Sequence, residues 1–271
     1  MRSLRACLAL FRIRTAEVLQ YRAAALVNSS VGIFWALIEI VVYTVFYRFA
    51  DNRNADIALS LPQMASYIWL NQSLWAFAAM NIDGDILNRI KNGDVGVELC
   101  RPLDLYFHWF ARSSAGRAGG AWRGLILIAA GLAAPAAYRL SGPASAAGFL
   151  LFLAAAVCGF LLTSAYQMLM TAVRLGISWG DGPTYMLLLL SGVLSGAYLP
   201  LQLWPDFMQK FLYFQPFAGL IDLPLRLYVG SMAPSGALGA LAVQTCWTAA
   251  FILAGRLVMR RKIRNIVVQG G

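Results

Sequence analysis

Six long apolar stretches dominate the 271-residue chain. A helix of about 20 mostly apolar residues is long enough to cross the hydrocarbon core of a bilayer. One such helix could be the buried helix of a soluble protein, but six in one chain are not typical of soluble domains. We therefore expect an all-α polytopic membrane protein with six transmembrane helices. The six stretches cover roughly residues 26–49, 61–81, 120–138, 145–173, 183–200 and 236–258.

The charge distribution predicts how these helices are oriented. Charged residues make up only 13% of the chain, against about a quarter in soluble domains, and the formal net charge is +10. In a soluble protein this charge would suggest nucleic-acid binding, but here almost every basic cluster adjoins an apolar stretch. Lysine and arginine accumulate on cytoplasmic loops. Because most of the 22 basic residues fall on one side, we expect both termini in the cytoplasm.

The apolar stretches divide the chain into three parts. Residues 1–25 mix apolar residues with arginines, which predicts an amphipathic helix lying at the cytoplasmic surface of the membrane. The alternative is a simple basic tail that orients the first span. Residues 26–260 form the predicted transmembrane domain, and residues 261–271 a cytoplasmic tail. The apolar residues of the first part are Leu4, Leu8, Phe11 and Leu19.

The outer segment 200–235 combines two properties that rarely occur together. It is apolar and aromatic, which is unusual for a loop in water, and it is rich in proline, which is unusual for a spanning helix. The pattern predicts short broken helices that re-enter the outer leaflet, with their backbone groups satisfied by protein. Its prolines are Pro200, Pro205, Pro216, Pro224 and Pro234.

The cytoplasmic segment 82–104 has mixed charge with embedded isoleucine and leucine. Its pattern predicts a helix that stops at Asn92-Gly93, then a turn and a second segment begun by proline. An ordered charged helix in this place suggests a docking surface for another protein. The alternative is a solvated loop that only supplies arginines for orientation. The candidate docking residues are Asp85, Arg89, Lys91, Gly93, Asp94, Glu98, Arg101 and Pro102.

Two groups of residues resemble a known family. On the cytoplasmic side, Gly93-Asp94 precedes the turn Leu99-Cys100-Arg101-Pro102, which is followed by Tyr106 and Trp109. On the outer side, Ser195-Gly196-Ala197-Tyr198-Leu199-Pro200 is followed by Trp204-Pro205. With these motifs the chain resembles ABC-2 type transporter permeases, within them the subgroup that has Gly-Asp before a Leu-x-Arg-Pro turn. Many members carry Gly-Thr and then a glutamate where this chain has Asp94 and Gly96.

The resemblance implies a fold and a way of working. Its topology covers nearly the whole chain: six spans, a coupling helix between spans two and three, and a re-entrant hairpin before span six. It also implies export or flipping of a small molecule, peptide or lipid across the cytoplasmic membrane. Six spans are half of the usual pathway, so we expect a dimer with a second permease, identical or related.

No phosphate-binding loop of the form G-x-x-x-x-G-K-[ST] occurs in the chain. ATP and Mg would therefore bind to a separate ATPase subunit, and this chain would carry no cofactor, no metal and no catalytic residue. The sequence thus predicts a transport subunit rather than an enzyme, with ATP-binding cassette subunits, a second permease and the lipid bilayer as its partners.

Polar residues inside the spans are the candidates for a substrate path. Glu39 is the acidic residue deep in a span, and such a residue marks a functional site by default. A protonated glutamate that only bonds a neighbouring helix is the alternative for Glu39, and interhelical hydrogen bonding is the alternative for the others. The path candidates are Glu39, Asn71, Gln167 and Thr171, and the outer-gate candidates are Tyr198, Pro200, Trp204 and Pro205.

Two other function classes remain open from the sequence. A stand-alone ion-coupled carrier would need paired intramembrane charges or matching half-repeats, and only Glu39 is evident. An integral membrane enzyme acting on lipids would need an acidic or histidine cluster at one interface. The single histidine, His108, has no positioned nucleophile beside it in the sequence.

Overall fold

The computed structural model describes residues 2–20, 22–51, 58–78, 82–100, 104–175 and 182–264. These residues form helices and turns, and no strand occurs among them. The helices are α1 (Arg2–Gln20), α2 (Arg22–Asp51), α3 (Leu61–Ala78), α4 (Gly84–Asn92), α5 (Val95–Leu99), α6 (Leu105–Ala133), α7 (Ala146–Arg174), α8 (Gly182–Leu194), α9 (Asp206–Phe214), α10 (Asp222–Val229) and α11 (Pro234–Arg264). Short 3₁₀ turns lie at Ala136–Tyr138, Leu201–Leu203 and Pro216–Leu220.

Three helices of the described part are long and apolar enough to cross a membrane. They are Ala25–Phe49 within α2, Ala146–Arg174 and Pro234–Arg264. α2 also exposes bulky apolar side chains, among them Phe34, Val41 and Phe46, along a face that a lipid phase or a partner chain would cover. The chain is therefore an all-helical membrane protein, and six spans with both termini in the cytoplasm stay a prediction.

The helices around the predicted third and fifth spans have other bounds than those spans. The third span is predicted at 120–138, and α6, the helix that contains most of it, begins earlier, at Leu105. Arg117 donates to the Ser164 hydroxyl of α7 (3.1 Å). The fifth was placed at 183–200, whereas α8 ends at Leu194. The turn after it needs Gly196 at φ +81°, a conformation that side chains disfavour.

Close helix contacts hold the centre of the fold together. α3 crosses α6 where Ser73 donates to the Gly124 carbonyl (2.9 Å). A Cβ at Gly124 would lie 2.8 Å from that hydroxyl, and one at Gly131 would lie 2.8 Å from the Trp69 ring. Small residues at these two positions let the helices approach closely, as is common between membrane helices. α7 also packs along α11, and α1 packs along α6.

The segment 200–235 is built from short helices and 3₁₀ turns, as its prolines predict. Side chains of α11 satisfy several of its backbone groups. Gln244 donates to the Gly219 carbonyl (2.6 Å), and the Trp247 indole donates to the Phe214 carbonyl (2.9 Å). The segment 200–235 is therefore joined to the last long helix by polar contacts as well as by apolar packing.

Candidate functional site

The predicted docking segment begins with a well-capped helix. Asp83 accepts hydrogen bonds from the backbone N–H groups of Asp85 (3.0 Å) and Ile86 (3.3 Å). At the other end, Gly93 adopts φ +79°, the left-handed conformation that stops helices. Ile86 is buried, whereas Asp85 and Lys91 lie on the exposed side. Local sequence signals thus produce a short amphipathic helix, α4.

Glu98 holds the two short helices of this segment against α6. Its side chain is only 4% exposed. Oε1 accepts a hydrogen bond from Arg89 of α4 (2.9 Å), and Oε2 accepts one from the Trp109 indole of α6. Trp109 itself is fully buried. In this conformation Glu98 lies beneath the segment, so it would position a docking surface rather than touch a partner.

The underside of the segment packs onto three long helices. Ile86 and Val95 belong to one apolar cluster with Trp109 of α6, Met168 of α7 and Met259 of α11. A hydrogen bond also joins the start of α6 to α11, because Arg256 of α11 donates to Asp104 (3.1 Å). The same apolar cluster thus connects α4 and α5 with α6, α7 and α11.

The outward side of the segment is exposed and partly apolar. Val97 is 66% exposed and Leu99 is 39% exposed, so both could contact a partner. Arg101 and Pro102 lie outside the described residues. We use the name exposed turn for the surface residues Lys91, Asn92, Gly93, Asp94, Val97, Leu99 and Cys100.

The N-terminal helix is fastened to this segment by charge. Asp85 accepts hydrogen bonds from Arg14 of α1 and from Arg112 of α6 (2.5 Å). The hydrogen bond from Arg14, with that from Arg112, lowers the pKa of Asp85 below its usual range. Thr15 also donates to the Ala115 carbonyl of α6 (3.3 Å). α1 therefore lies along α6 and touches the start of α4.

We expect Asp85→Asn to loosen α1. Exposed ion pairs contribute about 0.5–1 kcal/mol, so amide hydrogen exchange in residues 8–20 should rise by a factor of about two to five. In the parent chain the lowered pKa keeps the carboxylate charged, so the contact is fully formed above the ordinary aspartate pKa of about 4 and is lost as pH falls through the lowered value. Asp206→Asn, in a distant exposed position, serves as the control; equal exchange in both variants would contradict the contact.

A second site lies between α2, α3 and the end of α8. It is a cavity of about 230 Å³. Gln72 donates to Glu39 Oε1 (3.2 Å), and Asn71 donates to the Ala197 carbonyl (2.7 Å). The lining residues are Trp35, Glu39, Asn71, Gln72, Trp75, Ala197 and Tyr198. The cavity brings together two path candidates and one gate candidate from distant parts of the sequence.

The remaining candidates lie elsewhere. Gln167 and Thr171 are buried within α7, where the Thr171 hydroxyl donates to the Gln167 carbonyl (2.8 Å). Pro200 is buried before the turn Leu201–Leu203, Trp204 is half-buried, and Pro205 is exposed at the start of α9. None of these five lines the cavity beside Glu39.

Sequence reasoning missed the residue that joins the segment 200–235 to α3. Asp222 is fully buried, and its Oδ1 accepts a hydrogen bond from the Leu201 backbone N–H (3.2 Å). The Tyr67 hydroxyl of α3 lies 3.0 Å from the same oxygen, and the Asp222 N–H donates to the Ser195 carbonyl (3.1 Å). The one available signal was an acidic residue inside an otherwise apolar run.

Within the described residues no group of three or more histidine, cysteine, aspartate or glutamate side chains could hold a metal ion.

Comparison with known proteins assigns the family. No curated protein and no solved structure matches the chain. The family model described as ABC-2 family transporter protein matches residues 33–270, a range that includes α4 and α5, the cavity and the hairpin. The chain belongs to this family of membrane transport proteins.

Proposed function

We propose that the chain is the permease subunit of an ATP-driven ABC transporter whose ATPase is a separate polypeptide. The observation that carries the proposal is the two-sided construction of α4 and α5. Their outward side is the exposed turn, which offers apolar and charged groups to a partner. Their underside packs on α6, α7 and α11. A surface of this kind can both receive a partner and move the spans.

The proposed cycle is mechanical. ATP with Mg binds on the ATPase subunits, their closure displaces the exposed turn, and the attached helices move with it. The chain would span the cytoplasmic membrane six times with both termini inside, and the hairpin at 200–235 would stand near the outer exit. A second permease, identical or related, would complete the pathway. The cargo would be a small molecule, peptide or lipid that is exported or flipped.

Affinity purification of the tagged chain in mild detergent tests this proposal directly. We expect an ATPase with a phosphate-binding loop to copurify in stoichiometric amount. The same preparation reveals whether a second permease is present. A chain that purifies alone, under conditions that preserve other transporter complexes, would exclude the proposed subunit arrangement.

The exposed turn should determine that copurification. Val97→Asp places a charge where an apolar contact is expected, and covering an unpaired charge at an interface costs about 2 kcal/mol or more. We expect the recovered ATPase to fall at least tenfold, since about 1.4 kcal/mol corresponds to a factor of ten. Val97→Thr keeps the shape and should retain most of the ATPase. Unchanged recovery with Val97→Asp would show that the partner docks elsewhere.

A further inference from the structure

The cavity between α2, α3 and the end of α8 has the composition of a site for a positively charged ligand. One carboxylate, from Glu39, shares it with the aromatic rings of Trp35, Trp75 and Tyr198. We propose that this cavity binds an organic cation, a quaternary or protonated amine, as the charged group of the transported molecule. The proposal rests on the permease function above and adds a substrate class to it.

The acidic side chain that lines the cavity is Glu39, so the charge it can carry is negative. No lysine or arginine is among the described residues that line it, and Glu39 receives its hydrogen bond from an uncharged amide, that of Gln72. A carboxylate within a membrane span is costly unless it has a partner or lines an aqueous path. Gln72 satisfies one hydrogen bond but leaves the charge uncompensated. A bound cation would compensate it.

The aromatic walls suit the same ligand. Cations are attracted to the faces of aromatic rings within about 6 Å, most strongly to tryptophan, and cages of such rings recognise quaternary ammonium groups. The rings of Trp75 and Tyr198 lie side by side, with centroids 6.3 Å apart, and Trp35 is half-exposed at the same cavity. A site for an uncharged apolar molecule would need no carboxylate among these rings.

A second cavity adjoins the first and could hold the rest of the transported molecule. Its volume is about 390 Å³, and it shares Trp35, Gln72 and Trp75 with the first. Arg123, which donates to the Ala76 carbonyl (2.8 Å), lines the second cavity and not the first. A carboxylate in one cavity and a guanidinium in the other would orient a cationic molecule with its charged group in the first cavity, beside Glu39 and the outer-gate candidate Tyr198.

Binding of radiolabelled choline to the purified full chain, measured by scintillation proximity, tests the site. Unlabelled choline, benzyltrimethylammonium and 3,3-dimethylbutan-1-ol, the uncharged isostere of choline, are compared as competitors. We expect the two cations to compete at least tenfold better than the isostere. Equal competition by the isostere, or no choline binding by a folded chain, would overturn the proposal.

Variants separate this site from a merely structural glutamate. Glu39→Gln keeps the size and the hydrogen-bonding capacity, so a structural role predicts unchanged choline binding, whereas a cation site predicts at least a tenfold loss. Trp35→Leu should weaken binding more than Trp35→Phe, which keeps a ring. Phe34→Leu changes a neighbouring, exposed aromatic residue that does not line the cavity, and it should leave binding unchanged. Thermal unfolding midpoints confirm that the compared variants are folded.

The same preparation distinguishes failure of this site from failure of the permease proposal. If the ATPase copurifies but cations compete for the site no better than the uncharged isostere, the cation site is overturned and the permease proposal stands. Cation binding by a chain that has no ATPase retains the binding site and overturns its assignment to an ATP-driven cycle. Retention of the cation preference in Glu39→Gln overturns the role of the carboxylate.

Discussion

Asp222→Ala is expected to lower the free energy of unfolding by about 2 kcal/mol, because it leaves the buried Leu201 N–H without its acceptor and leaves the Tyr67 hydroxyl only the Gly196 carbonyl (3.1 Å). Each buried polar group left without a partner costs about 1–3 kcal/mol. The loss would also weaken the attachment of segment 200–235 to α3, although Gln63 of α3 would still donate to the Val229 carbonyl (3.0 Å). Thermal unfolding in detergent, followed by tryptophan fluorescence, measures the effect.

Two variants make this test specific. Asp222→Asn keeps one oxygen acceptor, so it should cost clearly less than alanine. Asp206→Ala removes an exposed aspartate from the same hairpin, and substitutions at such surface positions usually change stability by no more than about 0.5 kcal/mol. Equal unfolding midpoints for Asp222→Ala and Asp206→Ala would show that the buried network contributes nothing.

Glu98→Ala is expected to disconnect ATP hydrolysis from movement of the spans. The substitution removes the acceptor that joins Arg89 of α4 to Trp109 of α6, so the exposed turn would still meet the ATPase but would no longer carry α6 with it. In a cysteine-free background, the rate at which a maleimide labels Tyr198→Cys should change at least threefold on addition of ATP. In the Glu98→Ala variant we expect no such change, although the ATPase still copurifies and hydrolyses ATP.

The matched variants distinguish a specific loss of coupling from a general loss of folding or assembly. Glu98→Gln keeps an oxygen for the indole and should keep part of the ATP response. Asp206→Asn removes a distant carboxylate and should keep all of it. A full ATP response in Glu98→Ala would refute the mechanical role of this contact, while loss of the copurified ATPase would place Glu98 in docking itself.

Elements with local signals were predictable from the sequence. The stop of α4 follows from Asn92-Gly93, because glycine alone adopts φ +79° at little cost. The short helices of 200–235 follow from prolines that interrupt regular hydrogen bonding. Long apolar runs likewise give α2, α7 and α11. In each case the deciding interaction is made within a few residues of the signal.

Features that depend on distant partners were not predictable. Tyr67 and Asp222 are 155 residues apart, and no pattern near either one indicates the other. Hydropathy starts the third span after Arg117, and nothing near it in the sequence indicates that α6 reaches back to Leu105 or that Arg117 donates to Ser164 of α7. Glu98 looks like a surface charge in the sequence and becomes buried only when α5 folds onto Trp109. Charge in the sequence does not reveal which side chains will be covered.

The unbroken length of α6 determines how far a small movement can reach. The helix has 29 residues, and at 1.5 Å per residue it is a rod of about 43 Å. A tilt of about 10° around its middle would swing each tip by roughly 4 Å. No proline interrupts it between Leu105 and Ala133, and its 29 residues form one continuous α-helix. A push of a few ångströms beside Asp104 would therefore arrive at the opposite tip with equal size and reversed direction.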